Sequence, residues 1–444
     1  MVAISCSKYR VRFCVCILYD LLRLAQRAGV KQTRMTPLRR ILATLMFLPN
    51  IMPFKALFSA EIFPWAFLYA LRKDLRLTLG YTLFLGYIVI SSVLFLGSFP
   101  SFLVPARALF ALINASMIFF LLINVQREEY KTIVTIFHGV FIANLGLCII
   151  QFLGLFPPFL EPVFRLFIDR FTHEIYGGGR GVAGLFAEPS YASMAIHYYF
   201  AFFMLSKNIN PKSLLGIGAI VGIVFFDLFI IRSVTGVVMI LLYLASMQKA
   251  KDLIKSGVIA IVLLALVIYY FGQSSNAPRS IETAYDFFKY GSYQDPTPWL
   301  LEQSGFRFVS VWASYKYGFT HPFGSGVGGW GPASIQAMDD IGIKASAMSF
   351  FASAMGSEYQ GVRPTSFAAG LMLETGIVGL ILFLIAFYPF LKRPEIYRDV
   401  HTRSITLFFL FNTFALGSIG DPLPFVFLAL AYRSIIEPPE IVHA

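Results

Sequence analysis

Apolar residues run along the chain in blocks of about 20, separated by short polar stretches. About 20 residues of α-helix, rising 1.5 Å each, cross the hydrocarbon core of a bilayer. The blocks predict spans at 39–58, 60–72, 77–98, 102–124, 131–154, 188–206, 213–231, 234–248, 256–272, 365–391, 404–418 and 423–437. The expected fold is all-α, a polytopic transmembrane helical bundle of about 12 spans, because in lipid only helices or closed barrels satisfy every backbone polar group. Residues 39–437 form the bundle, with two long loops at 155–187 and 273–364. A basic segment, 1–38, precedes it, and a tail, 438–444, follows.

Composition supports the same class. Of 444 residues, 57% are hydrophobic and 14% charged, whereas a soluble domain carries about 25% charged residues. No single core could hide that much apolar surface. The net charge of +12 could indicate nucleic acid, but its placement indicates topology. Lysine and arginine gather in the N-terminal segment and in LRKDLR, QREEYK, SKNINPK, QKAKDLIK and LKRPEIYRDVHTR, at every second gap between apolar blocks. Cationic loops stay in the cytoplasm, so loops 155–187 and 273–364 face outward. Cys6, Cys14, Cys16 and Cys148 show neither metal-site spacing nor a disulfide framework. The first 34 residues do not read as a cleavable signal peptide. They read either as an amphipathic interfacial helix or as a segment preceding a true start at Met35. No internal repeat of the kind found in inverted-repeat transporters is evident.

The cations that oppose the charge rule carry more information. Arg165, Arg170, Arg180, Arg279, Arg307 and Arg363 lie in the outward loops, and Arg232 ends a span. Long loops escape the rule, so Arg165, Arg279, Lys289, Lys316 and Lys344 read as solvated charges. Arg180, Arg232, Arg307 and Arg363 stand within a few residues of apolar blocks, where an uncompensated charge is costly.

Four stretches combine these cations with other reactive groups. GGGRGVAGLFAEPSYAS (177–193) places Arg180 among glycines that allow close backbone approach to a ligand; a guanidinium there suits bidentate capture of phosphate. Glu188 and Pro189 also read as a plain helix start, with the acid at the positive end of the dipole. FIIRSVTGVVMI puts Arg232 between two spans, either reaching for headgroups or facing a polar cavity. In SGFRFVSVWASYKYGFTHPFGSGVGGWG (304–331), Arg307 precedes Phe308, Val311, Trp312 and Tyr315 at helical spacing. His321 and a dense run of glycines follow. His321, the one histidine of loop 273–364, titrates near neutrality as a general base must. Finally, VRPTSFAAGLMLETGIVGL ends the long loop at Arg363 and buries Glu374 within a span, where a carboxylate needs a cationic or donor partner. No nucleotide-binding, zinc or catalytic-triad motif is present, and nothing calls for a metal or cofactor.

Taken in order, GRGVAGLFAEPSYAS, RSVTG, the run ending THPFGSGVGGWG and SFAAGLMLETGIVGL resemble the Wzy-type O-antigen polymerases of the O-antigen ligase and polymerase superfamily. The last resembles its E-x-G-x-x-G element. The resemblance spans residues 130–420. It implies a helical bundle of the C-type glycosyltransferase kind in the inner membrane, with its active site facing the periplasm. It also implies transfer of a growing glycan from an undecaprenyl-pyrophosphate carrier to a lipid-linked repeat unit, without a metal, in a pathway that includes a chain-length regulator. Arg170, Arg180, Arg232, Arg307 and Arg363 are the implied pyrophosphate ligands, with Tyr191 and Glu374 supporting them. The spacing of Arg170 and Gly181 is similar to the family's first-loop pattern, whereas that of Arg307 and Gly324 departs by one residue. Superfamily ligases carry a histidine–asparagine pair before the E-x-G element. Here RPTS stands in that place, which favours a polymerase, while His321 keeps a ligase reading open. A base must take the acceptor's proton; Glu188 and His321 are the candidates, Glu188 preferred for its desolvated position at the membrane lip. A flippase or transporter of an anionic lipid-linked glycan is the rival from another class, and would place its charges at mid-membrane.

Overall fold

The computed structural model describes residues 35–52, 62–71, 77–95, 102–173, 175, 181–248, 269, 285–286, 289, 306–343 and 361–436. Residues 1–34, Arg180, the 256–272 span except Tyr269, Arg279, Lys344 and the 438–444 tail lie outside them. Every regular element among the described residues is helical. In chain order they are α1 (Pro37–Met46), α2 (Pro64–Ala70), α3 (Leu79–Leu94), α4 (Leu103–Leu122), α5 (Arg127–Phe152), α6 (Glu161–Arg165), α7 (Pro189–Ser206), α8 (Leu214–Phe225), α9 (Val234–Ser246), α10 (Phe306–Thr320), α11 (Trp330–Asp340), α12 (Phe367–Leu391), α13 (Pro394–Arg398), α14 (Val400–Phe414) and α15 (Leu423–Ile436). A π-helical turn, Phe226–Ile231, continues α8.

Local chemistry sets the helix starts. The side chains of Thr36, Thr78, Ser213, Ser366 and Asp399 each accept a first-turn N–H that the helix cannot satisfy itself. Among the described residues, four helices are long and apolar enough to cross a membrane: α4, α5, α8 with its π-helical turn, and α12. The protein is therefore built for a lipid environment. The starts and ends of α3, α4, α5, α7, α8, α9, α12 and α15 fall within a few residues of the predicted spans.

The first two spans need correction. α1 has 10 residues and α2 has 7, about 15 and 10 Å at 1.5 Å per residue. Neither length crosses a bilayer. The chain turns at Leu48–Ile51, where Pro49 falls, and Pro64 opens α2. The segment 156–171 folds onto the exit of α1: Ile51 packs beneath Phe156, Ile168 and Phe171, and Met52 N–H bonds Phe167 C=O at 2.6 Å.

The axis of the bundle is α7 and α15. All residues from Ala192 to Phe202, and from Leu423 to Arg433, are buried. Apolar surface alone does not drive association in lipid, so shape-matched packing must do so. Aromatic rings provide it. Phe427 of α15 meets Phe47, Phe137, Tyr198, Tyr199 and Phe202, with centroids 5.4–5.8 Å apart, within the range of favourable ring pairs. At one end, cationic loops meet: Arg39 pairs with Glu129 at 3.4 Å, and Arg403 bonds Gln248 C=O at 3.0 Å. These residues belong to the set predicted to share the cytoplasmic side.

Helix α10 confirms the helical spacing of residues 306–320 but turns another face inward. Val309, Ala313 and Tyr317 are buried; of the expected stripe, Val311 is buried and Tyr315 packs against the core, whereas Phe308 and Trp312 are 53% and 50% exposed. After α10, the turn 321–329 inserts into a break in α12. Gly376 has φ 64° and ψ −168°, which interrupts the helical ladder. The groups released are satisfied by the turn and by α3. Ser325 N–H bonds Leu373 C=O at 3.1 Å, Val378 N–H bonds Pro322 C=O at 3.3 Å, and Tyr87 Oη donates to Thr375 C=O at 2.9 Å. A broken helix at membrane depth is tolerated when neighbouring protein supplies those bonds.

A Cβ at Gly376 would strike the Pro322 carbonyl and demand a positive φ. Gly376→Ala is expected to lose on the order of 2–4 kcal/mol from combined left-handed strain and overpacking. Gly218→Ala, in α8 with open space around it, is expected to be neutral. Thermal unfolding of the two variants in detergent, followed by circular dichroism, makes the comparison.

Candidate active site at the N-terminal end of helix α7

Glu188 is the residue before α7, in extended backbone at φ −150° and ψ 155°, and Pro189 occupies the first turn. The plain reading of a helix start is thus half right. Proline brings no N–H to cap, and the Glu188 carboxylate makes no capping bond. It turns instead to two arginines from separate segments, Arg170 in a turn and Arg307 in the first turn of α10. One oxygen is in a close ion pair with Arg170 Nη1, and the other accepts from Arg307 Nη2 at 2.9 Å and from Ser190 Oγ at 3.4 Å. The Glu188 side chain is 13% exposed, against 68% for Arg170 and 42% for Arg307. One desolvated anion therefore holds two guanidinium groups side by side, each with surface still open to an anionic ligand.

Several elements prepare Arg170. Its backbone is left-handed, at φ 55°. Arg165 Nε donates to Phe171 C=O at 2.9 Å, Gln151 Nε2 donates to Thr172 C=O at 2.9 Å, and rings of Phe156, Phe164 and Phe171 pack together. Arg165 thus braces the loop, correcting its reading as a merely solvated charge. Arg165 and His173 also close on Glu161. The His173 hydrogen bond, reinforced by its backbone N–H and by Arg165, holds the Glu161 carboxyl below its ordinary value despite desolvation.

The glycine loop is fastened from α5 and the π-helical turn. Gln151 Oε1 accepts Gly184 N–H at 2.9 Å, and Asn144 Oδ1 accepts Leu185 N–H at 3.0 Å. Val182 N–H bonds Ile230 C=O at 3.1 Å, and Gly181 lies so close to Ile231 that no Cβ would fit. Arg232, next in the chain, is left-handed at φ 55°. It donates to Phe229 C=O at 2.9 Å and lies over Phe152, so it joins the glycine loop rather than the Glu188 pair. Asp227, buried within the turn, faces Gly236 and Ser193, and its backbone carbonyl accepts Arg232 N–H at 2.7 Å. Asn144, Gln151 and Asp227 were not singled out from sequence. A polar residue inside an apolar block was the available signal.

Below Glu188, Tyr191 lies within the electrostatic reach of Arg307, Glu188, Asp421 and Arg170. It lines a narrow cavity with Tyr198, Asn412 and Asp421. Asp421, in the connection between α14 and α15, is another residue that sequence reasoning passed over. Burial pushes its carboxyl up to about 6, partly countered by the Leu423 N–H that bonds it at 3.0 Å.

The remaining candidates form a second centre. Arg363 and Glu374 are a buried ion pair, 8% and 0% exposed, with Arg363 Nε donating at 3.0 Å. Gly328 N–H donates to the other Glu374 oxygen at 3.2 Å, and Arg363 also lies over Trp330. Glu374 has the cationic partner its depth demands, and Arg363 is spent on it rather than presented to solvent. His321 sits 14 residues beyond Arg307, about 21 Å along α10. It stacks on Tyr317 with centroids 4.1 Å apart, so the two candidate bases, Glu188 and His321, are not brought together. No group of acidic, histidine or cysteine side chains among the described residues could hold a metal ion.

Removing one partner of a buried pair strands the other charge, at about 3–5 kcal/mol. Arg363→Met is expected to fall below wild type by that amount. Arg363→Met with Glu374→Leu is expected to recover most of the loss, since neither charge remains. Unfolding midpoints of the single and double variants in detergent measure the difference.

No family model, curated protein or solved structure matches this chain.

Proposed function

We propose that the protein is an inner-membrane polysaccharide polymerase of the O-antigen, capsule or exopolysaccharide kind. It is a C-type glycosyltransferase-like bundle of transmembrane helices working at the periplasmic face. It transfers a growing glycan from a polyprenyl pyrophosphate to a lipid-linked repeat unit. The observation that carries this reading is the convergence of Arg170, from the turn before the glycine loop, and Arg307, from the first turn of α10, on the buried carboxylate of Glu188. Such a clamp holds two guanidinium groups at fixed spacing with part of each exposed, the arrangement a pyrophosphate requires.

The chemistry follows from charge. Breaking the bond between the anomeric carbon and phosphate leaves negative charge on the pyrophosphate, and pre-placed guanidinium groups stabilise that charge as it develops. No step needs a metal. Glu188 keeps the guanidinium groups from repelling each other and leaving the site when the donor is absent. Tyr191, on the first turn of α7, stands next to the clamp. Arg232 and the glycine loop form the flank on which the rest of the carrier headgroup would lie. The gathering of exposed cations at one end, rather than at mid-membrane, supports an enzyme over a transporter. The position of His321, far along α10 from the clamp, supports a polymerase over a ligase that uses this histidine.

The test uses membranes of a strain that displays the glycan, with expression matched to wild type and chain length read as a gel ladder. Arg307→Ala, Arg170→Ala and Arg180→Ala are each expected to reduce polymer by about 100-fold, the scale for losing one stabilising donor, while single capped repeats persist. Loss of capped repeats as well as polymer would indicate a ligase or flippase. An unchanged ladder in all three variants would overturn the reading.

A further inference from the structure

The stretch between α5 and Arg170 is apolar on two sides. Gly154, left-handed at φ 66°, turns the chain out of α5, and Leu155 N–H bonds Ile150 C=O at 2.9 Å. A 3₁₀ turn, Pro158–Leu160, leads into α6, and beyond it Ile168 N–H bonds Phe164 C=O at 2.8 Å. In such near-helical backbone, residues three and four apart share a side. Phe156, Leu160, Phe164 and Ile168 make the inner side, packed with Phe171, Leu147 and Leu185. Leu155, Phe159, Val163 and Leu166 make a second stripe, facing away from that cluster and 48–76% exposed. Glu161 and Arg165 pair on a third side, with His173 closing on the same carboxylate.

A contiguous row of large apolar side chains held away from the core marks a contact surface rather than a solvated loop. What it contacts is read from α5, a helix long and apolar enough to cross a membrane. Ile142, Ile149 and Leu153 of that helix and its end are exposed at helical spacing. The row stops where the outward stripe begins at Leu155, so the lipid-facing side of a spanning helix runs on into the 155–166 stripe. The charges agree with this. Arg165 and Arg170 have side chains 56% and 68% exposed, and a guanidinium on an apolar stem reaches lipid phosphates from the boundary of the hydrocarbon. Arg307, the other arginine of the clamp, is likewise followed by exposed Phe308 and Trp312.

We propose that residues 155–167 form an interfacial lip whose partner is the phospholipid leaflet on the clamp's side. Its outward stripe lies about 5–10 Å into the boundary between headgroups and acyl chains, while Glu161, Arg165 and His173 face the water side. Arg170, just beyond the lip, is thereby held at the depth of the lipid phosphates. An anion carried on a lipid of that leaflet reaches the two guanidinium groups by lateral diffusion. The placement rests on exposure and chain continuity, and it holds whether or not the protein is a polymerase.

The test reads depth in the full chain, with its four cysteines replaced by alanine, in nanodiscs of phosphatidylethanolamine and phosphatidylglycerol. A nitroxide is placed on one new cysteine at a time. Power saturation then compares its collisions with oxygen, which concentrates in hydrocarbon, and with a water-soluble nickel chelate. Ile142→Cys, midway along α5, is the lipid reference, and Lys212→Cys, in an exposed turn, is the aqueous one. Phe159→Cys and Val163→Cys are expected to show an oxygen-to-chelate ratio about fivefold above that of Lys212→Cys, as a side chain within the boundary requires. Asp169→Cys, next to Arg170, is expected to stay within about twofold of Lys212→Cys, on the water side of that boundary. A ratio at Phe159 and Val163 equal to the aqueous reference would overturn the proposal. Low collision with both reagents would also overturn it, because protein would then cover the stripe. A ratio at Asp169 equal to that of Ile142→Cys would overturn the depth assigned to Arg170. A second measurement keeps the native cysteines. With p-benzoylphenylalanine in place of Phe159, irradiated membranes are expected to yield the chain plus the mass of a phospholipid. Crosslinking to a protein chain, or no adduct, would overturn the proposal.

Discussion

The carboxylate of Glu188 is the point on which this end of the molecule depends. It sits where α7, one of the two axial helices, begins, on residue 188, and pairs with side chains 18 positions before and 119 positions after it. Two guanidinium groups left alone at that spacing would repel each other, and an acid left alone at 13% exposure would pay for its desolvation. Together they fix the relative placement of two segments far apart in the chain. The helix dipole of α7 adds its positive end to the same place. A local ion pair thereby becomes the geometry of a candidate anion site.

The rest of the architecture keeps that place rigid. In lipid the helices gain nothing from hiding oil from oil, so the bundle relies on interlocking rings around Phe427 and on backbone groups that find partners across helices. The break at Gly376 shows the second device. A helix that loses part of its ladder would be unstable in hydrocarbon, but the 321–329 turn supplies donors and acceptors at that level. The same turn brings Gly328 N–H to Glu374, and Glu374 holds Arg363. Glycine is required at positions 324 and 376 because the two backbones approach too closely for any Cβ. The glycine-rich run is therefore a packing surface for α12.

Site residues on short helices and loops depend on the ends of longer ones. α1 and α2 stop early, and the 156–171 loop descends onto Ile51. That descent brings Arg170 to Glu188, and Pro49, Asn50 and Phe63 line the cavity that holds Asp421. Neither the shortening nor the descent is a property of any one residue.

By itself, the order of amino acids determined the membrane class, the helical class and most helix limits. Apolar blocks and capping residues act over a few neighbours, and their consequences are local. It also marked Arg232, Arg307, Arg363 and Glu374 as charges too costly to leave uncompensated beside or within apolar runs, and Glu188 as a helix start or candidate base, while Arg170 stood out only through the family resemblance. What compensates each one is set by distances between segments far apart in the chain, and only the tertiary structure decided that. It paired Arg363 with Glu374, joined Arg170 and Arg307 on Glu188, and left His321 stacked on Tyr317. It turned Phe308 and Trp312 outward, since helical periodicity gives a stripe but not the side on which the next helix lies. It brought Asp421 and Asn412 to the same cavity, because a buried polar group in a loop after one helix finds its partners through packing and not through spacing.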